Sequence, residues 1–182
     1  ETLPGSTATA PSATASNWFP GRAFDVGIAG KVATAQAVQT GPDGSVYVLA
    51  DLGGDSAQTA IKGARDVALL KYDSAGKLAF MQVLGASESA SGFALAVSAD
   101  GEVAVAGAVE GALSGAGAER GGTDSFVSVF DASGKELWTQ RRGATANDAV
   151  RAVAFSSDGS VIISGETESA LGPALAAGGK DA

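Results

Sequence analysis

Residues 121–143 read GGTDSFVSVFDASGKELWTQRRG, and residues 63–85 read GARDVALLKYDSAGKLAFMQVLG. Written one above the other, the two stretches keep the same order of features. A glycine comes first, then an aspartate, an apolar run, an Asp-x-x-Gly turn, a second run and a closing glycine. "DSFVSVFD" (124–131) and, more weakly, "DVALLKYD" (66–73) carry the β-branched and aromatic residues that suit a pleated, half-buried surface. The turns "ASGK" at 132 and "SAGK" at 74 supply Gly134 and Gly76 for positive φ. "ELWTQRR" (136–142) and "LAFMQVL" (78–84) come next, so each copy predicts a β-hairpin in which Trp138 aligns with Phe80 and Gln140 with Gln82.

Outward from this pair, two landmarks recur with one period. The Asp-Gly turns of "GPDGSVYVLA", "SADGEVAVAG" and "SSDGSVIISG" place Asp43, Asp100 and Asp158 57 and 58 residues apart. The aspartates of "GARD", "GGTD" and "GGKD", at Asp66, Asp124 and Asp181, are 58 and 57 apart. Independent landmarks that hold one spacing are the signature of a tandem repeat. Each period holds two further runs: "TAQAVQT" (34–40), "FALAVS" (93–98) and "RAVAFS" (151–156), then "SVYVLA" (45–50), "EVAVAG" (102–107) and "SVIISG" (160–165). The Asp-Gly step between them is a hairpin signal in which both turn residues often take positive φ. The fourth runs are apolar throughout, which predicts burial on both faces. Alanines 94, 96, 152 and 154 lie on one face of the third run, which suits either small residues where sheets converge on an axis or an alanine-rich composition alone.

Four antiparallel strands repeated in tandem predict an all-β chain of β-propeller blades, with about two complete repeats plus partial ones. The expected organisation is a Ser/Thr/Ala/Pro linker over 1–17 and a repeat region over 18–182, opened by Trp18 and Phe19. The period exceeds that of common blades, and the extra length is assigned to an exposed Gly/Ala-rich loop after the fourth strand, "AVEGALSGAGAERGGT" (108–123). Propellers close with four to eight blades. The chain starts at Glu1 and stops on "GGKDA", so it is expected to be part of a larger ring, continued by further sequence or, as the alternative, completed by copies of the chain.

Composition narrows the function. Hydrophobic content of 45%, aromatics of 6% and 26 glycines suit a turn-rich β protein. A net charge of −8 opposes binding to nucleic acid or to an anionic membrane surface. No run reaches the ~20 apolar residues that cross a bilayer. The sequence has no cysteine and no histidine, which rules out thiolate chemistry and a Ser-His-Asp arrangement within it.

Candidate chemistry is thin. Glu166 and Glu168 in "GETES" are the paired carboxylates to weigh for acid/base work, against a solvated loop end. Asp73 and Asp131 lack the alternating acids of a calcium loop and read as turn formers that accept backbone N–H bonds, with calcium at a loop end as the alternative. Arg141 and Arg142, with Arg151 and Lys135, are a candidate anion or partner spot, against a solvated strand end.

"GGTDSFVSVFDASGKELWTQRRGATANDAVRAVAFSSDGSVIISG" resembles the bacterial seven-bladed β-propeller repeat family (SBBP-type repeats). The matching positions are Gly121, Gly122, Asp124, Phe126, Val127, Asp131, Gly134, Trp138, Gly143, Asp148, Asp158 and Gly159. The first copy departs from the pattern at Ala64, Phe80 and Ala90. The resemblance spans about residues 30–182 and transfers no catalytic, cofactor or metal residue. "DASGKELW" is also similar to the repeat of quinoprotein propellers, which implies a blade-docking role for Trp138.

Composition, repeat and resemblance together predict a non-enzymatic interaction or structural module of a bacterial secreted or cell-surface protein, making protein–protein contacts. Two alternatives stand beside it: a self-assembling component of an appendage or filament of flagellum or adhesin type, and a hydrolase or lyase whose catalytic groups lie on other blades.

Overall fold

The computed structural model of the protein describes residues 32–53 and 63–169. The segment 1–17, Trp18, Phe19 and the closing "GGKDA" lie outside the described residues. Within them every element is a strand, ten in all: β1 (Val32–Thr40), β2 (Val46–Gly53), β3 (Arg65–Tyr72), β4 (Leu78–Leu84), β5 (Ser89–Val97), β6 (Val103–Glu110), β7 (Asp124–Phe130), β8 (Glu136–Arg142), β9 (Asp148–Phe155) and β10 (Val161–Thr167).

The strands pair antiparallel with their sequence neighbours as β1-β2-β3-β4 (unit 1) and β5-β6-β7-β8 (unit 2), and β9 pairs with β10 (the third pair). A single parallel bridge, Arg65 to Ser89, joins units 1 and 2. The repeat is therefore cut at a different place from the one the sequence landmarks suggest. Each sheet opens with the Asp-Gly hairpin and closes with the Asp-x-x-Gly hairpin, so the boundary falls in the short connection Gly85–Glu88. The long segment 108–123 does not leave a sheet. It joins β6 to β7 within unit 2, and its Leu113 and Ala116 are buried against Ala86 in the core rather than exposed.

The hairpins also correct one expectation. Gly41 N–H donates to Ser45 O and Gly44 N–H to Gly41 O, which makes a four-residue turn with Asp43 at its third position. Only the glycine takes positive φ (75° at Gly44), and no non-glycine residue does so among the described residues. A type I turn ending in a left-handed glycine gives a longer hairpin loop than the two-residue Asp-Gly form. The same bonds recur at Asp100-Gly101 and Asp158-Gly159, and in the Asp73 and Asp131 turns.

The sheets stack face to face, with β5 packed on β1 and on β9. Tyr47, Leu49 and Leu69 of unit 1 meet Leu95, Val105 and Phe126 of unit 2 in one apolar seam. On the other side of unit 2, Ala94, Ala104 and Ala106 meet Val150, Val153 and Phe155 of the third pair. Each large side chain so buried contributes about 1.5–3 kcal/mol. β2 and β6 are buried along nearly their whole length, as their apolar runs require, whereas Ile162 and Ile163 of β10 are exposed. Of the paired alanines, Ala94 is buried in the seam and Ala152 and Ala154 are exposed.

The repeated aspartate and closing glycine have a steric reason. Asp66 and Asp124 are fully buried. A Cβ on Gly143 would lie 1.8 Å from Asp124 Oδ1, and one on Gly85 2.8 Å from Asp66 Oδ2. Asp124 Oδ2 lies 2.6 Å from Arg141 Nε and accepts Arg120 N–H at 3.0 Å. Arg141, itself buried, donates to Gly111 O, so this ion pair ties β7 and β8 to the long loop.

Candidate functional site

Each first strand carries a β-bulge at the same register. The pairing skips Gln36 in β1, Phe93 in β5 and Arg151 in β9, each seven residues before the Asp of its Asp-Gly turn. A bulge leaves its extra residue outside the ladder and re-aims the side chain. Because β5 packs on both β1 and β9, the three bulges form a row across the stacked sheets. Facing them on the second strands, at one repeat-equivalent position, are Asp51, Ala108 and Glu166.

The row is held by polar and ring contacts. Gln36 Nε2 donates to Asp51 Oδ2 at 3.2 Å, and Asp51 Oδ1 accepts Gly92 N–H at 2.8 Å, linking unit 1 to unit 2. Burial pushes the Asp51 carboxyl up from its ordinary value, opposed by the Gly92 N–H and by Arg65. Arg65 Nη1 donates to Ser91 Oγ at 3.0 Å. One step along, Arg151 forms an ion pair with Glu166 at 2.6 Å, and its guanidinium carbon lies 4.4 Å from the Phe93 ring centroid.

Between unit 2 and the third pair a cavity of about 260 Å³ opens beside this row, with Phe93, Thr123, Asn147, Asp148, Arg151, Glu166 and Glu168 in its lining. Asn147 Nδ2 donates to Glu168 Oε2 at 3.0 Å, and Asn147 Oδ1 accepts Thr123 N–H at 3.2 Å. Asp148 is 2% exposed; its Oδ2 accepts Ala144 N–H at 2.8 Å while its buried Oδ1 has no hydrogen-bond partner. The chemistry on offer is recognition: carboxylates, a cation stacked on a ring, and an unmet acceptor in a polar recess.

Of the residues that the sequence marks as candidates, the structure brings Glu166, Glu168 and Arg151 together here. The two glutamates are not a bare acid/base pair, since Glu166 is bound to Arg151 and Glu168 to Asn147. The basic spot does not assemble. Neighbours on one strand face opposite sides, so Arg141 points inward to Asp124 and Arg142 outward. Asp73 and Asp131 act as turn formers: Asp73 Oδ1 accepts the N–H groups of Ala75 and Lys77, and Asp131 Oδ1 those of Ser133 and Lys135. The Ser133 hydroxyl, above all, holds the Asp131 carboxyl below its ordinary value. Trp138 stands 38% exposed on β8, while the aligned Phe80 of β4 meets Gly134 of unit 2 across the first seam. Gln36, Phe93 and Asp51 are residues of this row that no sequence motif marks, whereas Asp148 stands among the positions of the repeat resemblance. The one signal for Gln36 and Phe93 is their position, seven before an Asp-Gly aspartate, where the side chain changes from Gln to Phe to Arg within an otherwise small and apolar strand.

No family model matches the chain. Among curated proteins it is similar to "Regulatory protein FlaEY" of Caulobacter vibrioides (strain ATCC 19089 / CIP 103742 / CB 15), with 43% identity over 164 residues. The match covers 83% of this chain and 17% of that protein, so the chain spans about a sixth of the length of the relative.

Proposed function

We propose that the stacked sheets are blades of a β-propeller of the SBBP-like kind, and that the chain is a non-enzymatic, protein-binding module with a regulatory role. The observation that carries the binding role is the bulge row: one frame, repeated three times, displays Gln36, Phe93 and Arg151 beside a polar recess. A scaffold that holds backbone geometry constant while varying the displayed side chain suits recognition of an extended surface. The blade reading is supported by the four-stranded antiparallel sheets, their face-to-face stacking and the mutual approach of the first strands. The regulatory role rests on the name of the similar protein.

A photoreactive residue placed at 93 or at 151 in the intact protein tests this. Cross-links to a discrete protein partner are expected from both positions and not from position 78, where Leu78 is exposed on the outer strand β4. Absence of adducts at 93 and 151, or equal yield at 78, refutes the role of the bulge row.

A further inference from the structure

Two inter-sheet grooves beside the bulge row are repeat-equivalent among the described residues, so each serves as a control for the other. In the groove between units 1 and 2 the positions are Gln36, Asp51, Arg65, Ala90, Phe93 and Ala108. In the groove between unit 2 and the third pair the same positions are Phe93, Ala108, Thr123, Asp148, Arg151 and Glu166. The first groove carries its own cation: Arg65 bonds Ser91 and lies close enough to Asp51 to favour its ionised form. The second groove lacks both members of that pair, since Thr123 stands where Arg65 does and Ala108 where Asp51 does, and its own cation is Arg151. It has gained Asp148 and Glu166 in place of two alanines and holds a cavity of about 260 Å³.

We infer that this second groove receives a basic side chain, arginine or lysine, from a polypeptide partner, beside Thr123, the position that carries Arg65 at the first groove. The inference rests on the binding-module reading and names the chemistry of what is bound.

Three features converge on it. Asp148 Oδ1 is a carboxylate oxygen without a donor, and its residue is almost wholly buried. Such an atom costs stability until a donor reaches it, and a charged N–H donor gives the stronger bond. The lining carries three carboxylates, Asp148, Glu166 and Glu168, against the single guanidinium of Arg151. Arg151 is already committed to Glu166 and to the Phe93 ring, so it leaves Asp148 unserved. The recess therefore has an excess of negative charge, a buried acceptor and room for one side chain.

Acetyl-Arg-Gly-Arg-amide carrying a fluorophore is the probe, titrated into the intact protein and followed by anisotropy. Saturable binding that weakens as salt rises is expected, and Asp148→Asn and Glu168→Gln should each weaken it at least fivefold. Glu102→Gln, an acidic change outside this groove, should leave it unchanged. Thr123→Arg guards against misfolded Asp148 variants, because it imports the first groove's own cation. It should abolish probe binding while raising the melting temperature. Free spermidine at equal concentration should compete poorly, since it lacks the backbone on either side of the cation. Equal loss with Glu102→Gln, unchanged binding in Thr123→Arg, or stronger binding of spermidine overturns the inference. Cross-links from 93 and 151 that persist undiminished in excess unlabelled probe overturn it alone and leave the binding-module reading standing. Absence of the cross-links removes that reading itself.

Discussion

Gly143→Ala is the sharpest test of how the repeat is locked. The new Cβ would lie 1.8 Å from Asp124 Oδ1 and 2.5 Å from its Cγ, separations that real Cβ atoms do not show. Something must move, and the carboxylate has nowhere to go. Its Oδ2 is held 2.6 Å from Arg141 Nε and accepts Arg120 N–H, with both side chains of the pair 1% exposed or less. Overpacking a filled interior costs about 1–3 kcal/mol, and separating a buried ion pair costs about 3–5 kcal/mol. The strain can relax by either route but not by neither, so a loss of about 3 kcal/mol is expected. With urea m-values of about 1–3 kcal/mol per molar, the unfolding midpoint falls by about 1–3 M. Tryptophan fluorescence of the intact protein, from Trp138 and Trp18, reports the transition. Gly53→Ala is the matched control: a Cβ there meets nothing within 4 Å and the residue has no positive φ, so the midpoint should hold or rise slightly. The double variant Gly143→Ala/Asp124→Ala should fall well short of the sum of its parts, because Asp124→Ala removes the carboxylate that the new Cβ meets. A Gly143→Ala midpoint within 0.2 M of the Gly53→Ala midpoint (about 0.2–0.6 kcal/mol), or an additive double variant, refutes the lock.

Two further outcomes are expected. Phe80→Ala should cost about 2 kcal/mol by chemical denaturation, below the 3–5 of a fully buried ring, because Phe80 is half-buried against Gly134 and Tyr47; Trp138→Ala should match it in the intact protein if a following sheet docks there as unit 2 docks on unit 1, and a loss under about 0.5 kcal/mol sinks the blade reading. Thermal melts from pH 2 to 7 should show Asp43→Asn and Asp51→Asn with opposite signs. The Ser45 hydroxyl holds Asp43 down at about 2, so its contribution is present above 3.8 and lost as pH falls towards 2, and Asp43→Asn is the less stable variant at pH 7. Burial raises Asp51, so its contribution is full below 3.8 and lost as pH rises through the raised value. Asp51→Asn, which keeps an acceptor for Gly92 N–H, gains on the wild type at pH 7 and not at pH 3; equal signs refute both assignments.

The strands and hairpins were legible because their signals are local. Alternation, β-branching and the turn glycines act within a few residues, and all ten strands fall on or beside runs that the sequence marks. The sheet boundary was not legible, because every consecutive pair of strands is antiparallel or crosses by a short link, and neither pattern names the junction that changes sheets. Length misleads here. Four residues, Gly85–Glu88, suffice to cross the ~10 Å between stacked sheets, while the thirteen of 111–123 return to the same sheet. Those thirteen are anchored by contacts with the neighbouring connection, Ser87 N–H to Ala112 O and Ala86 to Leu113, which no local pattern encodes.

The site was less legible for a related reason. A bulge adds one residue without a turn signal, so Gln36, Phe93 and Arg151 look like ordinary strand positions until the partner strand fixes the register. The recurring residues mark the opposite kind of position. Asp124 with Gly143, and Asp66 with Gly85, recur because their atoms touch, and a change in one must be answered in the other. The bulge residues are released from the ladder, so strand pairing does not dictate which of Gln, Phe or Arg stands there, although each makes contacts of its own. A repeat that is tight at its locks can vary the side chain at its bulges without changing the pairing of its strands. The same 57- to 58-residue unit therefore carries Arg65 beside Asp51 at one groove and Arg151 among three carboxylates at the next, with no change of backbone plan.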